Sequence, residues 1–208
     1  MLDQIAKLRI IPVVAIQSVE DAVPLANSLS IGGLPVAEIT LRTPAGLASI
    51  AALASRPDFL VGAGTVHSVD QAKQVADAGA RFVVSPGLNP KTVQWCLDKQ
   101  MPVFPGISSP TDLEMALDLG LKVVKFFPAE QIGGVKMLKA LQGPYGEIRF
   151  IPTGGISESN LADYLALPSV IACGGSWMVK SDMINSGRFG EIERLTAEAT
   201  RRLQSLGS

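Results

Sequence analysis

The chain has 208 residues, of which 47% are hydrophobic and 18% are charged, and its formal net charge is −1. This size and composition fit one globular domain with a large buried core. The near-neutral balance, without a basic face or a lysine run, argues against a nucleic-acid partner, and no apolar run approaches the ~18 residues of a membrane span. The first residues carry no cleavage signature, so we expect no signal peptide and no membrane contact.

Eight short apolar runs alternate with amphipathic segments along the chain. The runs lie at residues 10–16, 35–41, 59–65, 81–85, 101–105, 122–126, 148–153 and 169–173. They are near-continuous stretches rich in Val, Ile and Phe, which are typical of parallel strands buried on both faces. Helices are predicted between and after them, at residues 69–78, 90–99, 111–119, 135–141, 158–165 and 190–206.

Serines and glycines mark the ends of several predicted helices. Ser18, Ser68 and Ser157 each precede an acidic or amidic helix start, and we predict that they are N-caps. Gly79 and Gly120 stand where a helix should end and turn into the next strand.

The repeating strand–helix unit predicts an α/β fold, a (β/α)8 TIM barrel that forms a single domain over residues 1–208. The spacing of roughly 20–25 residues between runs fits such units with short loops. No linker or low-complexity tract divides the chain. A short extra helix at residues 2–8 is predicted to plug the N-terminal end of the barrel. The rival architecture is an open doubly wound sheet.

Two charged residues stand inside apolar strands. Lys125 lies in the sixth run and Glu38 in the second. Strand periodicity of two places Glu38 on one face with Thr40 and Arg42, and Lys125 on one face with Phe127. Because functional side chains of such barrels gather at the C-terminal ends of the strands, we expect Lys125 and Glu38 to face one cavity.

A lysine and a carboxylate in one cavity suggest carbonyl chemistry. Burial makes Lys125 costly to keep charged, and a neutral amine can attack a ketone to form a Schiff base, which is an electron sink. Glu38 among apolar residues needs a partner or a proton, which suits proton transfer. Alternatively, Lys125 reaches solvent from the strand end, or Glu38 forms a structural salt bridge with Arg42 or Lys125. Arg42 is either a forked donor for a substrate carboxylate or part of a surface ion pair.

Glycine pairs occur near the ends of the seventh and eighth runs. The segments are Thr153-Gly154-Gly155-Ile156-Ser157 and Cys173-Gly174-Gly175-Ser176. Loops at these two positions form the usual phosphate site of TIM barrels, where exposed amides meet a helix N-terminus. We therefore predict a phosphate-binding site here, with the first segment opening a helix.

Two further glycine-containing turns end the third and fourth runs. They are Gly62-Ala63-Gly64-Thr65 and Ser85-Pro86-Gly87. Glycines there either allow a ligand to approach the backbone closely or serve turn formation alone. The hydroxyl of Thr65 is a candidate donor to a carboxylate or carbonyl oxygen.

Cysteine and histidine are sparse in this sequence. Cys96 and Cys173 lie outside any CxxC spacing, so we expect two reduced, buried thiols in a cytoplasmic protein. His67 has no Cys or carboxylate cluster nearby, and we interpret it as a loop or helix-start residue. We expect no metal and no cofactor.

Together these motifs resemble the 2-keto-3-deoxy-6-phosphogluconate aldolase family, in order and through essentially the whole chain. The matching segments are Glu38-Ile39-Thr40-Leu41-Arg42-Thr43, Gly62-Ala63-Gly64-Thr65-Val66, Ser85-Pro86-Gly87, Phe104-Pro105-Gly106, Lys125-Phe126-Phe127-Pro128-Ala129-Glu130, Pro152-Thr153-Gly154-Gly155-Ile156 and Gly174-Gly175-Ser176-Trp177.

The resemblance implies a class I aldolase in which Lys125 forms the Schiff base with pyruvate. It implies that Glu38 is the general acid and base and works through a water. The other implied site residues are Arg42 and Thr65 for the carboxylate, Pro86 and Phe127 for the pocket walls, Thr153 for the hydroxylated part of the substrate, and Gly154, Gly155, Gly175 and Ser176 for the phosphate.

The expected reaction is reversible cleavage of 2-keto-3-deoxy-6-phosphogluconate to pyruvate and glyceraldehyde 3-phosphate. The phosphate-free 4-hydroxy-2-oxoglutarate keeps the reacting atoms, so its cleavage to pyruvate and glyoxylate is expected at lower efficiency. The resemblance also implies a homotrimer acting in sugar-acid catabolism of the Entner–Doudoroff type.

Three other functions remain open from the sequence. Thr153 favours the gluconate substrate, but an aldolase for the galactonate epimer is an alternative. A phosphosugar isomerase or epimerase could use Lys125 and Glu38 as a proton-transfer pair without a covalent adduct. A barrel that only binds a phosphorylated metabolite is the non-enzymatic alternative.

Overall fold

Parallel strands alternate with helices in the computed structural model, which describes residues 1–206. The strands are β1 (Ile10–Val14), β2 (Val36–Thr40), β3 (Leu60–Gly64), β4 (Val83–Ser85), β5 (Val103–Ile107), β6 (Val123–Phe126), β7 (Arg149–Pro152) and β8 (Cys173–Gly175). The last two residues of the predicted 1–208 domain lie outside the described residues.

Helices follow the strands, and one precedes β1. They are α1 (Leu2–Leu8), α2 (Ala22–Ile31), α3 (Gly46–Ala54), α4 (Val69–Asp77), α5 (Pro90–Asp98), α6 (Pro110–Asp118), α7 (Gly134–Gln142), α8 (Leu161–Leu165), α9 (Ser181–Asn185) and α10 (Phe189–Leu206), with a 3-10 helix at Val19–Asp21 before α2. Among these described helices, none is both long and apolar enough to cross a membrane.

The sheet closes into a barrel. Consecutive strands pair in parallel from β1 to β7, and β1 pairs with β8. Two isolated bridges, Phe150 with Val170 and Thr153 with Gly174, join the β7 side to the β8 side. The predicted (β/α)8 barrel is therefore confirmed, and the open doubly wound alternative is wrong.

The eighth strand begins later than the sequence predicts. The predicted run at residues 169–173 does lie in the barrel wall, but it bonds to the β7 side: the Phe150 amide donates to the Ser169 carbonyl at 2.7 Å, and the Ile171 amide donates to the Phe150 carbonyl at 3.1 Å. The regular ladder with β1 starts only at Cys173. The apolar run therefore identifies the segment that bonds to β7. The regular strand β8 starts at the end of this run and continues through the glycines that follow.

Alternate side chains along the strands fill two separate core layers. One layer lies between the strands and the outer helices and contains Ala37, Ile39, Val124 and Phe126. The other, which we call the barrel floor, consists of Ile5, Ile11, Val36, Leu60, Phe82, Val84, Phe104, Val123, Ile151 and Ala172. This division confirms the predicted alternation, because Val36 and Val123 point inward while their neighbours point outward.

Helix α1 plugs the barrel floor. Ile5 of this helix is fully buried and packs in the floor layer. Since a barrel of eight strands is filled by side chains, an apolar side chain from outside the sheet completes the lowest layer. The predicted role of residues 2–8 is confirmed.

Of the three predicted N-cap serines, only Ser68 uses its side chain as a cap. Its hydroxyl accepts a hydrogen bond from the Gln71 amide at the start of α4. Ser18 precedes the 3-10 helix, but its hydroxyl donates to the Glu20 carboxylate instead. The prediction for Ser157 is wrong because α8 starts later, at Leu161.

The two predicted helix-ending glycines adopt the left-handed conformation. Gly79 has φ +91° and Gly120 has φ +74°. Their amides donate to the carbonyls of Ala76 and Leu117, which closes the last turns of α4 and α6. Both predictions are confirmed.

Candidate active site

A cavity of about 330 Å³ opens at the C-terminal ends of the strands. Every site residue named from the sequence lines it: Glu38, Arg42, Thr65, Pro86, Lys125, Phe127, Thr153, Gly154, Gly155, Gly175 and Ser176. The sequence thus located the residues that the fold brings together.

Lys125 and Glu38 meet at the base of this cavity. The Lys125 Nζ lies 3.5 Å from Glu38 Oε1, and the two residues are 5% and 3% exposed. The same Nζ lies 5.0 Å from the centroid of the Phe127 ring. A carboxylate and an aromatic face both stabilise a buried ammonium. They hold the Lys125 amine at the cavity, where a small ketone can reach it.

The pair realises one alternative from the sequence, the ion pair between Glu38 and Lys125. The contact is long for a charged hydrogen bond, whose usual N–O distance is about 2.7–2.9 Å. A long contact beside an open cavity leaves room for the amine to turn toward a ligand. The structural and chemical interpretations of the two residues are therefore compatible.

Three glycines on the strands make room for neighbouring protein groups. A Cβ on Gly64 would lie 2.2 Å from Glu38 Oε1, and one on Gly106 would lie 2.0 Å from the carbonyl oxygen of Pro86. A Cβ on Gly62 would lie 2.2 Å from the ring of Phe82 in the barrel floor. Gly62 and Gly64 therefore accommodate protein groups, and neither the ligand-approach nor the turn interpretation describes them.

The guanidinium of Arg42 is oriented through its Nε, and its two terminal nitrogens are available to a ligand. Thr40 Oγ1 donates to the Val14 carbonyl at 2.7 Å, and Arg42 Nε donates to the same Thr40 oxygen at 3.2 Å. Within residues 1–206 no carboxylate forms an ion pair with Arg42, so the surface ion pair considered from the sequence is not formed. Its terminal nitrogens can bind a carboxylate in the cavity.

Thr65 adopts an unusual backbone conformation at the end of β3. Its φ is +62°, in the left-handed region that β-branched residues rarely enter. Hydrogen bonds on both sides hold it there: the Leu41 amide donates to the Gly64 carbonyl, and the Val66 amide donates to the Val84 carbonyl. Strain of this kind is concentrated at binding sites, which supports a ligand-facing role for the hydroxyl.

The two glycine pairs meet at one side of the cavity. Gly154 and Gly155 have φ +101° and +78°, and a Cβ on Gly174 would lie 2.3 Å from Thr153 Oγ1. A Cβ on Gly175 would lie 2.0 Å from the ring of Trp177. Side chains are therefore excluded at both turns, and backbone groups form this part of the surface.

One expectation about this side of the site is wrong. The Gly154–Gly155 turn does not open directly into a helix, because a five-residue loop at residues 156–160 separates it from α8. The turn's own amides, rather than the first amides of a helix, are the donors available here.

Five lining residues were not named as site residues from the sequence: Val13, Thr40, His67, Ile156 and Gly174. The period of two does identify Thr40, which shares a face with Glu38. His67 follows Thr65 by two residues, but its place at the cavity depends on its loop. The His67 amide donates to Gln71 Oε1 at 2.7 Å, and Asn89 Nδ2 donates to the His67 carbonyl at 3.3 Å.

Two groups close to β8 have raised pKa values. Burial raises the pKa of the Tyr164 phenol, and its hydrogen bond to the Glu130 carboxylate raises it further. Burial also raises the pKa of the Cys173 thiol, against a smaller opposing effect of Arg9. Both groups therefore stay neutral at physiological pH, and neither lines the cavity.

Comparison with known proteins identifies close relatives. The family model for the KDPG and KHG aldolases matches residues 2–195. The chain is 50% identical over 208 residues to 2-dehydro-3-deoxy-phosphogluconate aldolase of Treponema pallidum, covering 100% of this chain and 98% of that protein. It is 49% identical over 199 residues to the enzyme of the same name from Haemophilus influenzae, covering 95% and 94%.

A solved structure is similar over nearly the whole chain. It is KDPG aldolase from Legionella pneumophila, with pyruvate captured at low pH as a covalent carbinolamine intermediate. The TM-score is 0.92 at 40% sequence identity, covering 95% of this chain and 96% of that one.

Proposed function

The chain belongs to the KDPG and KHG aldolase family, and from that membership we propose that it is a class I aldolase that cleaves 2-dehydro-3-deoxy-6-phosphogluconate to pyruvate and glyceraldehyde 3-phosphate. The observation that carries the proposal is the buried Lys125–Glu38 pair, 3.5 Å apart, in a cavity that also holds two glycine turns and the guanidinium of Arg42, which forms no ion pair among the described residues. An amine, a carboxylate, a carboxylate-binding group and a phosphate cradle correspond to the four parts of this substrate.

The first step is Schiff-base formation at Lys125. Lys125 first transfers its ammonium proton to Glu38, and the free Nζ then attacks the C2 carbonyl of the substrate. Loss of water from the carbinolamine leaves an iminium. Glu38, within 3.5 Å of the same nitrogen, can accept and return the protons that this dehydration moves. Arg42 and Thr65 hold the adjacent carboxylate, which fixes C2 over the amine.

The second step is carbon–carbon cleavage. Glu38 removes the proton of the C4 hydroxyl through a water, the C3–C4 electron pair moves into the iminium, and glyceraldehyde 3-phosphate leaves with an enamine remaining on Lys125. Protonation at C3 and hydrolysis of the resulting iminium then release pyruvate and regenerate the amine. Pro86 and Phe127 form the walls that keep the reacting carbons in place.

Phosphate recognition is the role that we propose for the glycine turns of the cavity. We assign the phosphate to the turns of Gly154, Gly155, Gly175 and Ser176, and the hydroxylated middle of the substrate to Thr153. Backbone amides and a serine hydroxyl are suitable donors for a phosphate dianion. This contact supplies binding energy remote from the reacting bond.

Cleavage of 4-hydroxy-2-oxoglutarate to pyruvate and glyoxylate is the second activity. The name of the matching family includes KHG, the same keto acid. This substrate forgoes the phosphate contacts, so its efficiency should be lower. An aldolase for the galactonate epimer and a phosphosugar isomerase remain the alternatives, and the second needs no adduct.

Two further properties stay predictions that belong to this proposal. We expect a homotrimer, which light scattering would detect as three times the 21.9 kDa chain mass. We also expect a cytoplasmic, one-domain enzyme with pyruvate and phosphorylated keto acids as its small-molecule partners, without a metal or other cofactor.

Reductive trapping tests the mechanism. Incubation with pyruvate and sodium borohydride should add about 72 Da, the reduced pyruvyl imine, to Lys125. Lys122 is a matched control, because it lies three residues away on the same segment but is exposed and paired with Glu147. We expect no adduct on Lys122 and no turnover by Lys125→Ala. A folded protein that forms no adduct in excess pyruvate would favour the isomerase or a barrel that only binds.

A further inference from the structure

The carbonyl groups of the turn after β7 are held from outside the cavity. The Ala129 amide donates to the Thr153 carbonyl at 2.8 Å, and the Glu130 amide donates to the Gly154 carbonyl at 3.1 Å. Neither donor lines the cavity. The carbonyls of Thr153 and Gly154 are thus fixed by backbone donors that lie outside the cavity.

Asn160 holds the third carbonyl and also the chain that follows it. Its Nδ2 donates to the Gly155 carbonyl at 3.0 Å, and its Oδ1 accepts from the Ser157 amide at 2.9 Å. One side chain therefore bridges the two ends of the segment 155–157. Asn160 itself lies outside the cavity, just before α8.

The fixed carbonyls determine where the amides point. In a trans peptide the C=O and N–H groups point in opposite directions, and the peptide bonds of this turn are trans. The Gly154 carbonyl shares a peptide with the Gly155 amide, and the Gly155 carbonyl shares one with the Ile156 amide. Each of the two amides therefore points away from the group that donates to the carbonyl of its own peptide, which is the Glu130 amide or Asn160 Nδ2. Gly155 and Ile156 both line the cavity.

These two amides have no protein acceptor within residues 1–206. No hydrogen bond among the described residues uses the N–H of Gly155 or of Ile156. Ile156 is 6% exposed and packs in the outer core, and it also lines the cavity. Unsatisfied amides beside a cavity are ready donors to an anion.

The turn also rests on a braced side chain. A Cβ on Gly155 would lie 2.5 Å from Cγ of Glu130, so the turn sits directly on this glutamate. The Tyr164 hydroxyl donates to Glu130 Oε1. Glu130 is therefore packed against the turn at Gly155 and is itself held by Tyr164.

We propose that Asn160 is a positioning residue for the phosphate group, and that it turns the Ile156 amide into the cavity as a phosphate donor beside that of Gly155. The inference rests on the proposed function, because the phosphate is that of the proposed substrate. Asn160 touches no substrate itself, so its effect should be confined to ligands that carry a phosphate.

The test compares substrates with and without a phosphate. In Asn160→Ala, we expect kcat/KM for 2-dehydro-3-deoxy-6-phosphogluconate to fall at least about tenfold, mainly through KM, and that for 4-hydroxy-2-oxoglutarate to stay within about twofold. The dissociation constant of glycerol 3-phosphate, measured by calorimetry, should rise at least about tenfold. Asn160→Ser, whose shorter side chain cannot bridge the same span, should change the same quantities if the alanine variant folds poorly.

Asn89→Ala is the matched control. Asn89 also bridges a loop at this end of the barrel, since it accepts from the Lys91 amide and donates to the His67 carbonyl. We expect it to leave the ratio of the two substrate efficiencies and the binding of glycerol 3-phosphate unchanged.

Two results would overturn the role of Asn160: an equal loss on both substrates, or an unchanged dissociation constant for glycerol 3-phosphate. If the wild-type protein turns over neither keto acid, the proposed function fails. The glycerol 3-phosphate titration still decides the role of Asn160 in that case.

Discussion

At the scale of single residues, the Lys125–Glu38 pair depends on the absence of a side chain at Gly64. Glu38 occupies space that any side chain at position 64 would fill. The chemistry proposed for Glu38 needs its carboxylate held within hydrogen-bond reach of Lys125. A glycine on the adjacent strand is therefore part of the catalytic geometry although it touches no substrate.

Gly64→Ala should displace the Glu38 carboxylate and reduce kcat by about 10²-fold, since a shift of about 1 Å at a reacting group can cost that much. Gly87→Ala is the control, because a Cβ there meets nothing within 4 Å. Circular dichroism would confirm that both variants fold. Equal kcat values in the two variants would remove Gly64 from the catalytic geometry.

A second residue-scale prediction concerns Cys96. Burial raises the pKa of its thiol to about 11, against about 8.5 in an unfolded chain. As the pH rises above ~8.5, the unfolded state loses this proton before the folded state does. The free energy of unfolding therefore falls progressively until the pH reaches about 11, the pKa in the folded state. Urea unfolding at pH 8 and pH 10 should show a loss of up to ~2 kcal/mol from this group in the wild type. We expect a smaller loss in Cys96→Ala, and the same loss in both proteins would contradict the assignment.

Glu38 and Lys125 could be singled out from the sequence because charged side chains in apolar strands are conspicuous. The period of two was enough to place Glu38 and Lys125 in one barrel mouth. It could not assign Gly62 and Gly64, because their role depends on atoms of other strands. His67 was missed as a lining residue for the same reason: its position follows from a loop conformation that Gln71 and Asn89 hold.

At the scale of secondary-structure elements, similar sequence patterns gave different caps. Ser18 and Ser68 both precede an acidic helix start, yet only Ser68 accepts a hydrogen bond from an amide of its helix. Ser157 fails for another reason, since the hydrogen bonds of Asn160 hold the chain as a loop before α8. Capping motifs predict that a helix begins nearby, and the contacts of the loop decide at which residue.

Ser68→Ala should therefore lower the free energy of unfolding by about 1 kcal/mol, the usual value of an N-cap hydrogen bond. Ser18→Ala should change it by less than ~0.5 kcal/mol, because the serine makes only an exposed side-chain contact. Chemical denaturation of both variants would measure the difference. Equal losses would mean that the two serines stabilise the protein in the same way.

At the scale of the whole molecule, the two ends of the barrel differ: one is a packed apolar layer and the other holds the cavity. The floor is an apolar layer closed by Ile5 of α1, while the cavity lies at the C-terminal ends of the strands. The separation was predictable, because the apolar residues of the inner face lie at the strand starts and the polar ones at the strand ends. The boundary of β8 was not, because a run of apolar residues does not reveal which of two neighbouring strands it pairs with.

Ile5→Ala should lower the free energy of unfolding by about 2–5 kcal/mol, because it leaves a cavity in the floor. Leu2→Ala in the same helix should cost little, since Leu2 is 40% exposed. Thermal unfolding would measure the two changes. The kcat of folded Ile5→Ala should stay near the wild-type value, and a selective loss of kcat would show that the floor and the active site are coupled.

The pairing of β1 with β8 also sets an order of completion during synthesis on the ribosome. The edge of β1 at residues 10–12 stays unpaired until residues 173–175 have emerged. An open strand edge can pair with other chains, so the nascent protein is most exposed to misassembly during this interval. Glu38 and Lys125 are made before the ring can close, whereas Gly175 and Ser176 arrive with its last strand. The turn of Gly175 and Ser176, which we propose as part of the phosphate site, is thus the last part of the cavity that the growing chain acquires.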